Sequence, residues 1–178
     1  PPLPPLKPGL LEAKSTVLDA NGKETAPPEQ EAFARMPPEM RARMAEMMKA
    51  RGATMPDANG ATKVCLTKEL FESGQLQKMA ESNGCQTTFS TQTASSWKWH
   101  SVCTQLKSES DGEAAFMGPD HYKTTLKTTV NRNGSPIVQT RIVDSKWLAA
   151  DCGDVKPIDF GALPQAGSAG GRGTRPPR

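Results

Sequence analysis

Four cysteines, Cys65, Cys85, Cys103 and Cys152, constrain the fold of this chain more than any other feature of its sequence. The gaps between them are wide and no two form a Cys-x-x-Cys pair, which argues against zinc binding and thioredoxin-like chemistry. An even number of widely spaced cysteines is typical of two disulfides, and hence of an oxidising compartment. Of the three possible pairings we predict Cys65–Cys85 and Cys103–Cys152. The alternative is four buried free thiols in a cytosolic protein.

The length of 178 residues gives room for one domain with a core of its own. Residues 1–8 are rich in proline, and residues 164–178 offer nothing apolar enough to bury, so both are predicted to be tails around a single domain at 9–163. The net charge is +3, and the three arginines of the C-terminal tail account for all of it, so the rest of the chain has no net charge. A neutral body has no electrostatic footprint for nucleic acid, so we exclude that class of partner.

The sequence favours an exported protein. No apolar run approaches the ~18 residues that a membrane-spanning helix needs. A chain that starts Pro-Pro-Leu-Pro is typical of a protein from which a signal peptide has been removed. We therefore predict a periplasmic or secreted protein with no transmembrane span.

Alternation of apolar and polar residues predicts an antiparallel sheet. Strands are predicted at 10–18, 62–66, 85–93, 97–103, 122–130 and 138–142. A helical insertion at 38–52 follows the first strand, and Thr67 can cap a further helix that reaches about residue 81. With about six or seven strands the sheet must curl to cover itself. The predicted fold class is α+β: a curved antiparallel sheet that could close into a barrel, with a Met-rich helical insertion, stapled by disulfides.

The methionines of the insertion recur at i, i+4, i+7 and i+8, which is one face of an amphipathic helix. Three interpretations compete: a lid whose flexible side chains fill an irregular gap, an adaptable apolar surface for a ligand or partner, and a Cu(I) site. Two tryptophans share one strand face that the lid could close. The predicted ligand or partner surface is Met40, Met44, Met47, Met48, Trp97 and Trp99.

Catalytic chemistry has little support in the sequence. His100 is expected on a strand surface opposite the tryptophans, and His121 follows the turn signature Gly-Pro-Asp. No nucleophile elbow, zinc-protease motif or phosphate-binding glycine loop is present. We therefore assign no catalytic residue, no cofactor and no metal ligand.

Several segments of the chain resemble a known family. They are Gly9-Leu10-Leu11-Glu12, the Met-Pro-Pro-Glu-Met segment at 36–40 with the helix that follows, Lys63-Val64-Cys65-Leu66-Thr67, the order of the cysteines, and Lys146-Trp147-Leu148. Together they make residues 9–153 similar to a family of small exported proteobacterial proteins known as the domain of unknown function number 3617. Leu11 departs from the pattern, which has tryptophan there. The resemblance implies export to the periplasm and paired cysteines, and it implies no activity.

The expected function is that of a non-enzymatic binding or envelope-interaction module, whose partner is an apolar ligand or an envelope protein. An enzyme of unrecognised type is one alternative, because catalytic groups can meet in space without a sequence motif. Copper binding through the methionine cluster is the other.

Overall fold

The computed structural model of the protein describes residues 5–74, 78, 81 and 84–158. Within these ranges strands dominate over helices. In chain order the elements are β1 (Gly9–Leu18), β2 (Glu24–Thr25), α1 (Pro28–Ala34), α2 (Pro38–Ala50), β3 (Ala61–Leu66), α3 (Lys68–Glu72), β4 (Cys85–Gln92), β5 (Ser96–Cys103), β6 (Ser108–Phe116), β7 (His121–Arg132) and β8 (Ser135–Ala149). The predicted continuation of the third helix toward residue 81 falls largely outside the described residues.

The eight strands form one sheet in the order β2-β1-β8-β7-β6-β5-β4, with β3 also paired to β1. All of these pairings are antiparallel, which confirms the predicted sheet. β8 follows one side of β1, while β2 and β3 share the other side. The sheet is not closed into a barrel. Closure would need β4 to pair with the opposite end, but the outer side of β3 is bonded to residues 52–54 instead.

β6 is an interior strand of the sheet, although its residues gave no strand signal. Its sequence, Ser-Glu-Ser-Asp-Gly-Glu-Ala-Ala-Phe, contains few residues that favour strands. It nevertheless pairs over its whole length with β5 and β7. The two neighbouring strands therefore impose the extended conformation, and tertiary pairing overrides local preference.

The pairing register gives the sheet two chemically different faces. On the charged face, residues of opposite charge stand across from each other on neighbouring strands. These pairs are Lys98 with Glu113, His100 with Asp111, and Lys123 with Asp144. On the apolar face, alternate residues of these strands and of β4 include a group of aromatic and aliphatic side chains. These are Phe89, Trp97, Trp99, Phe116, Tyr122 and Leu126.

The buried core lies at the β1–β3 end of the apolar face. Leu11, Leu66 and Leu70 are buried against one another. Leu70 belongs to α3, which begins after Thr67, whose side-chain oxygen accepts a hydrogen bond from the Leu70 amide at 3.3 Å. This confirms the predicted cap. Because α3 covers only this end of the sheet, the apolar face beyond it is less protected.

The methionine helix does not cover the sheet as a lid. α2 contains all four methionines of the predicted face, but none of its residues is buried. A helix packed over a sheet buries a continuous apolar stripe. Beyond α2 the chain instead runs along the edge of β3, where the Thr54 amide donates to the Lys63 carbonyl at 2.8 Å.

All four cysteines form disulfides, as predicted, but the predicted partners are wrong. Cys85 is bonded to Cys103, its direct neighbour in the β4–β5 pairing, and Cys65 is bonded to Cys152 beyond the end of β8. β3 and β4 lie at opposite ends of the sheet, six strand spacings of about 4.8 Å apart along it. A Cys65–Cys85 bond would have to cross that distance, whereas disulfide-bonded residues have Cα atoms within about 7 Å.

Candidate binding surface

Four aromatic side chains from four adjacent strands form a row across the apolar face. Tyr122 of β7 is followed by Phe116 of β6, Trp97 of β5 and Phe89 of β4. The successive ring centroids are 6.0, 6.2 and 5.6 Å apart. These separations are typical of aromatic pairs in contact. We call these four residues the aromatic row.

Trp99 lies beside the aromatic row and uses a glycine of the next strand as its support. Its ring centroid is 6.2 Å from that of Phe89. A Cβ atom placed on Gly112 of β6 would collide with the Trp99 ring. The absence of a side chain at Gly112 therefore lets the indole contact the β6 backbone, as aromatic residues do when they cover a glycine in a sheet.

The two ends of the aromatic row differ in burial. Tyr122 packs at the margin of the core, and its hydroxyl is hydrogen-bonded to Ser145, which is only 2% exposed. Burial raises the pKa of the Tyr122 phenol above its ordinary value. Phe89 at the other end is 44% exposed. The row is thus anchored in the core at β7 and open to solvent at β4.

The structure places Trp97 and Trp99 on one sheet face, as predicted. Three further members of the surface, Phe89, Phe116 and Tyr122, were not assigned to it from the sequence. Phe89 could have been found, since it alternates with Thr87 in β4. Phe116 could not, because β6 itself gave no signal.

The methionines lie on a different part of the molecule. Met40 and Met47 are about half exposed on α2, which leads into the outer edge of β3. Four strands, β1, β8, β7 and β6, separate β3 from the tryptophans of β5 in the sheet. A joint surface formed by Met40, Met44, Met47 and Met48 with the tryptophans stays a prediction.

His100 stands on the charged face between two carboxylates. Its Nδ1 is 2.7 Å from Asp111 Oδ1 and its Nε2 is 2.8 Å from Glu109 Oε1. The hydrogen bond to Asp111, with a smaller contribution from Glu109, raises the pKa of His100 above its ordinary value. When both ring nitrogens donate to carboxylates, neither has a lone pair for use as a general base.

A shallow depression of about 410 Å³ lies beside His100, with Thr88 and Thr125 among its lining residues. A hydroxyl near a histidine is one requirement of nucleophilic catalysis. Here both ring nitrogens of the histidine face Asp111 and Glu109 rather than these hydroxyls.

His121 also pairs with a carboxylate on the charged face. Its Nε2 is 2.8 Å from Asp144 Oδ1 across the β7–β8 pairing. Asp120, in the predicted turn before it, is contacted by Lys7 Nζ at 3.3 Å. Both contacts lie at the partly exposed surface of the sheet.

In the part of the chain that the structure describes, no group of three or more His, Cys, Asp and Glu side chains is arranged to hold a metal ion. Over the same residues, none of the helices combines the length and the apolar character needed to cross a bilayer.

The fold defines the chain as a disulfide-linked domain built on one open antiparallel sheet. The family model of DUF3617, a protein of unknown function, matches residues 6–152, and the chain belongs to this family. This match confirms the family to which the sequence was compared. No curated protein and no solved structure matches the chain.

Proposed function

We propose that this protein is a non-enzymatic binding module of the cell envelope, periplasmic or secreted, which holds the hydrocarbon chain of an apolar ligand on the aromatic row. The observation that carries the proposal is the row itself, which begins at Tyr122 beside the core and ends at the half-exposed Phe89. Rings that contact each other across four strands present a continuous apolar strip.

The dimensions of the strip suit an extended alkyl chain. From β7 to β4 the row crosses three strand spacings, about 14 Å. A ligand on an open sheet buries only one side of its chain. Burial of one side should contribute half of the full transfer free energy, about 0.4 kcal/mol per methylene. Two added methylenes should then tighten binding about fourfold until the chain outgrows the row.

The disulfides support the location in the envelope. Both cysteine pairs are formed, and such bonds persist in oxidising compartments outside the cytoplasm. The imidazole of His100 is engaged at both nitrogens, which supports a binding role over a catalytic one.

Tryptophan fluorescence tests the proposal directly. In a Trp147→Phe background the remaining tryptophans, Trp97 and Trp99, both lie at the row. Titration with saturated fatty acids of increasing chain length should shift their emission, and the affinity should rise with length and then level off. Trp97→Ala, which interrupts the row at its centre, should weaken binding about tenfold, while Trp97→Phe should retain most of it.

Leu148→Ala provides the matched control, because Leu148 is 43% exposed and lies outside the row. This variant should bind as the parent does. No emission change with any chain length would contradict the proposal, and so would equal losses in Trp97→Ala and Leu148→Ala.

A further inference from the structure

The two outermost strands of the sheet differ in how their outer edges are used. The outer edge of β3 is occupied by the chain itself, since the Thr54 amide donates to the Lys63 carbonyl and the Cys65 amide to the Gly52 carbonyl. Among residues 5–74, 78, 81 and 84–158, no segment pairs with the outer edge of β4. Natural proteins generally protect such an edge, because an unprotected edge is a template for pairing with another chain.

The β4–β5 pairing shows which backbone groups point outward. The Cα atoms of Cys85 and Cys103 are 4.0 Å apart, as in a pair that exchanges no backbone hydrogen bonds. The next pair is the hydrogen-bonded kind, since the Thr104 amide donates to the Gly84 carbonyl at 3.1 Å. Every second residue of β4, counted from position 85, therefore directs its N–H and C=O away from β5.

Thr87 and Phe89 are two of these outward-facing residues. Within the described ranges their backbone N–H and C=O groups have no hydrogen-bond partner. β4 has no charged residue and no proline, so it lacks the usual devices that block strand addition. A register shift between Phe89 and Thr91 ends the regular stretch, which leaves residues 86–89 as the usable edge.

We propose that residues 86–89 pair antiparallel with the same residues of a second copy of this chain, so that two sheets join into one. In the register that uses the unbonded groups, Thr87 faces Phe89 of the second copy, and Phe89 faces its Thr87. The two pairs supply four backbone hydrogen bonds. The two-fold axis then passes between Thr88 and Thr88 of the second copy.

A second copy fits this edge better than a charged peptide does. Self-pairing about a two-fold axis places like residues close together, which is costly for charges but not for Thr, Ser and Gln. Phe89 and its symmetry mate become diagonal neighbours on the apolar face, within reach of each other. The half-exposed ends of two aromatic rows would thus meet and cover each other.

Sedimentation equilibrium of the disulfide-intact full chain, from micromolar to millimolar concentration, tests the proposal. We expect a reversible dimer. Thr87→Pro removes an N–H that points away from β5. Each dimer then loses two hydrogen bonds between the copies, which should weaken self-association about thirtyfold. Thr87→Ala keeps that N–H and should associate as the parent does. A chain that stays monomeric throughout the range would overturn the proposal.

Charges placed at the two-fold axis give a second test that does not depend on proline. Thr88→Lys and Thr88→Glu each put like charges opposite each other and should weaken the homodimer about fivefold. An equimolar mixture of the two variants should recover the association. A dimer that neither charge weakens, or a mixture that associates no better than its components, would show that the copies meet elsewhere. Circular dichroism of each variant establishes that it is folded.

Discussion

The two ends of the sheet differ in how well they are covered. At the β3 end, residues 52–54 are hydrogen-bonded to the last strand and α3 covers the apolar face. At the β4 end, the last strand has outward-facing backbone groups without a described partner. The buried leucines lie at the first end. The half-exposed aromatic residues lie at the second. One sheet therefore separates the residues that stabilise the fold from those available for binding. Such a division is expected, since binding surfaces are drawn from the less protected parts of a fold.

The disulfides follow the same division. Cys65–Cys152 ties the β3 end to the segment after β8 across a sequence separation of 87 residues. Cys85–Cys103 closes a separation of only 18 residues within one hairpin. The first bond constrains much of the unfolded chain, while the second holds the β4 edge against β5.

The largest expected effect comes from removing the long-range disulfide. Replacing Cys65 and Cys152 together by alanine should lower the free energy of unfolding by about 4.5 kcal/mol on the loop-entropy model. The same replacement of Cys85 and Cys103 should cost about 3 kcal/mol. Chemical denaturation of the two double variants measures both values. A larger loss from the Cys85–Cys103 pair would break the comparison between the two ends.

Side-chain truncation should show the next largest difference. Leu70 is 5% exposed and Phe89 is 44% exposed. Leu70→Ala should destabilise the protein by about 3 kcal/mol, because it leaves a cavity beneath α3. Phe89→Ala should cost about 1 kcal/mol in dilute solution, where its ring is only partly buried. Equal losses in urea denaturation would mean that the aromatic end is as well packed as the core.

The sequence predicts the faces of several strands because alternation is a local property. For example, alternation correctly predicts that Trp97 and Trp99 lie on the face opposite Lys98 and His100. The cap of α3 at Thr67 is likewise a local signal, and it was also predicted. β6 was missed because its extended conformation depends on β5 and β7 rather than on its own residues.

The disulfide partners and the position of the methionine helix also could not be predicted from the sequence. Both depend on which strands become neighbours, and four cysteines allow three pairings without that knowledge. Phe116 could not join the candidate site until β6 was in place.

Gly112 provides a smaller test of how the aromatic end is packed. A side chain at this position would meet the Trp99 ring. Gly112→Ala should displace the indole, shift its fluorescence emission and destabilise the protein by about 1.5 kcal/mol. Glu113→Ala, the next residue of β6 on the charged face, is the control and should cost less than about 0.5 kcal/mol. Unchanged emission in Gly112→Ala would show that Trp99 is not held against the strand.

The smallest expected effect concerns His100 on the charged face. Its pKa is raised above 6.5 in the folded protein, so its stabilising contribution is complete below pH 6.5 and is lost as the pH rises through the folded value. Relative to His100→Gln, the parent should therefore lose stability as the pH rises through this window. Melting temperatures of the two proteins across this range check the sign. A relative gain of the parent with rising pH would contradict the paired arrangement with Asp111 and Glu109.

Hydrogen exchange of backbone amides, followed residue by residue in the disulfide-intact chain at low and high concentration, tests the difference between the two edges most directly. We expect the Cys65 amide, which is bonded to Gly52, to exchange slowly at both concentrations. The amides of Thr87 and Phe89 should exchange rapidly in dilute protein and slowly in concentrated protein. Slow exchange of these two amides at every concentration would show that the β4 edge is already covered, and rapid exchange at every concentration would show that no second copy pairs with it.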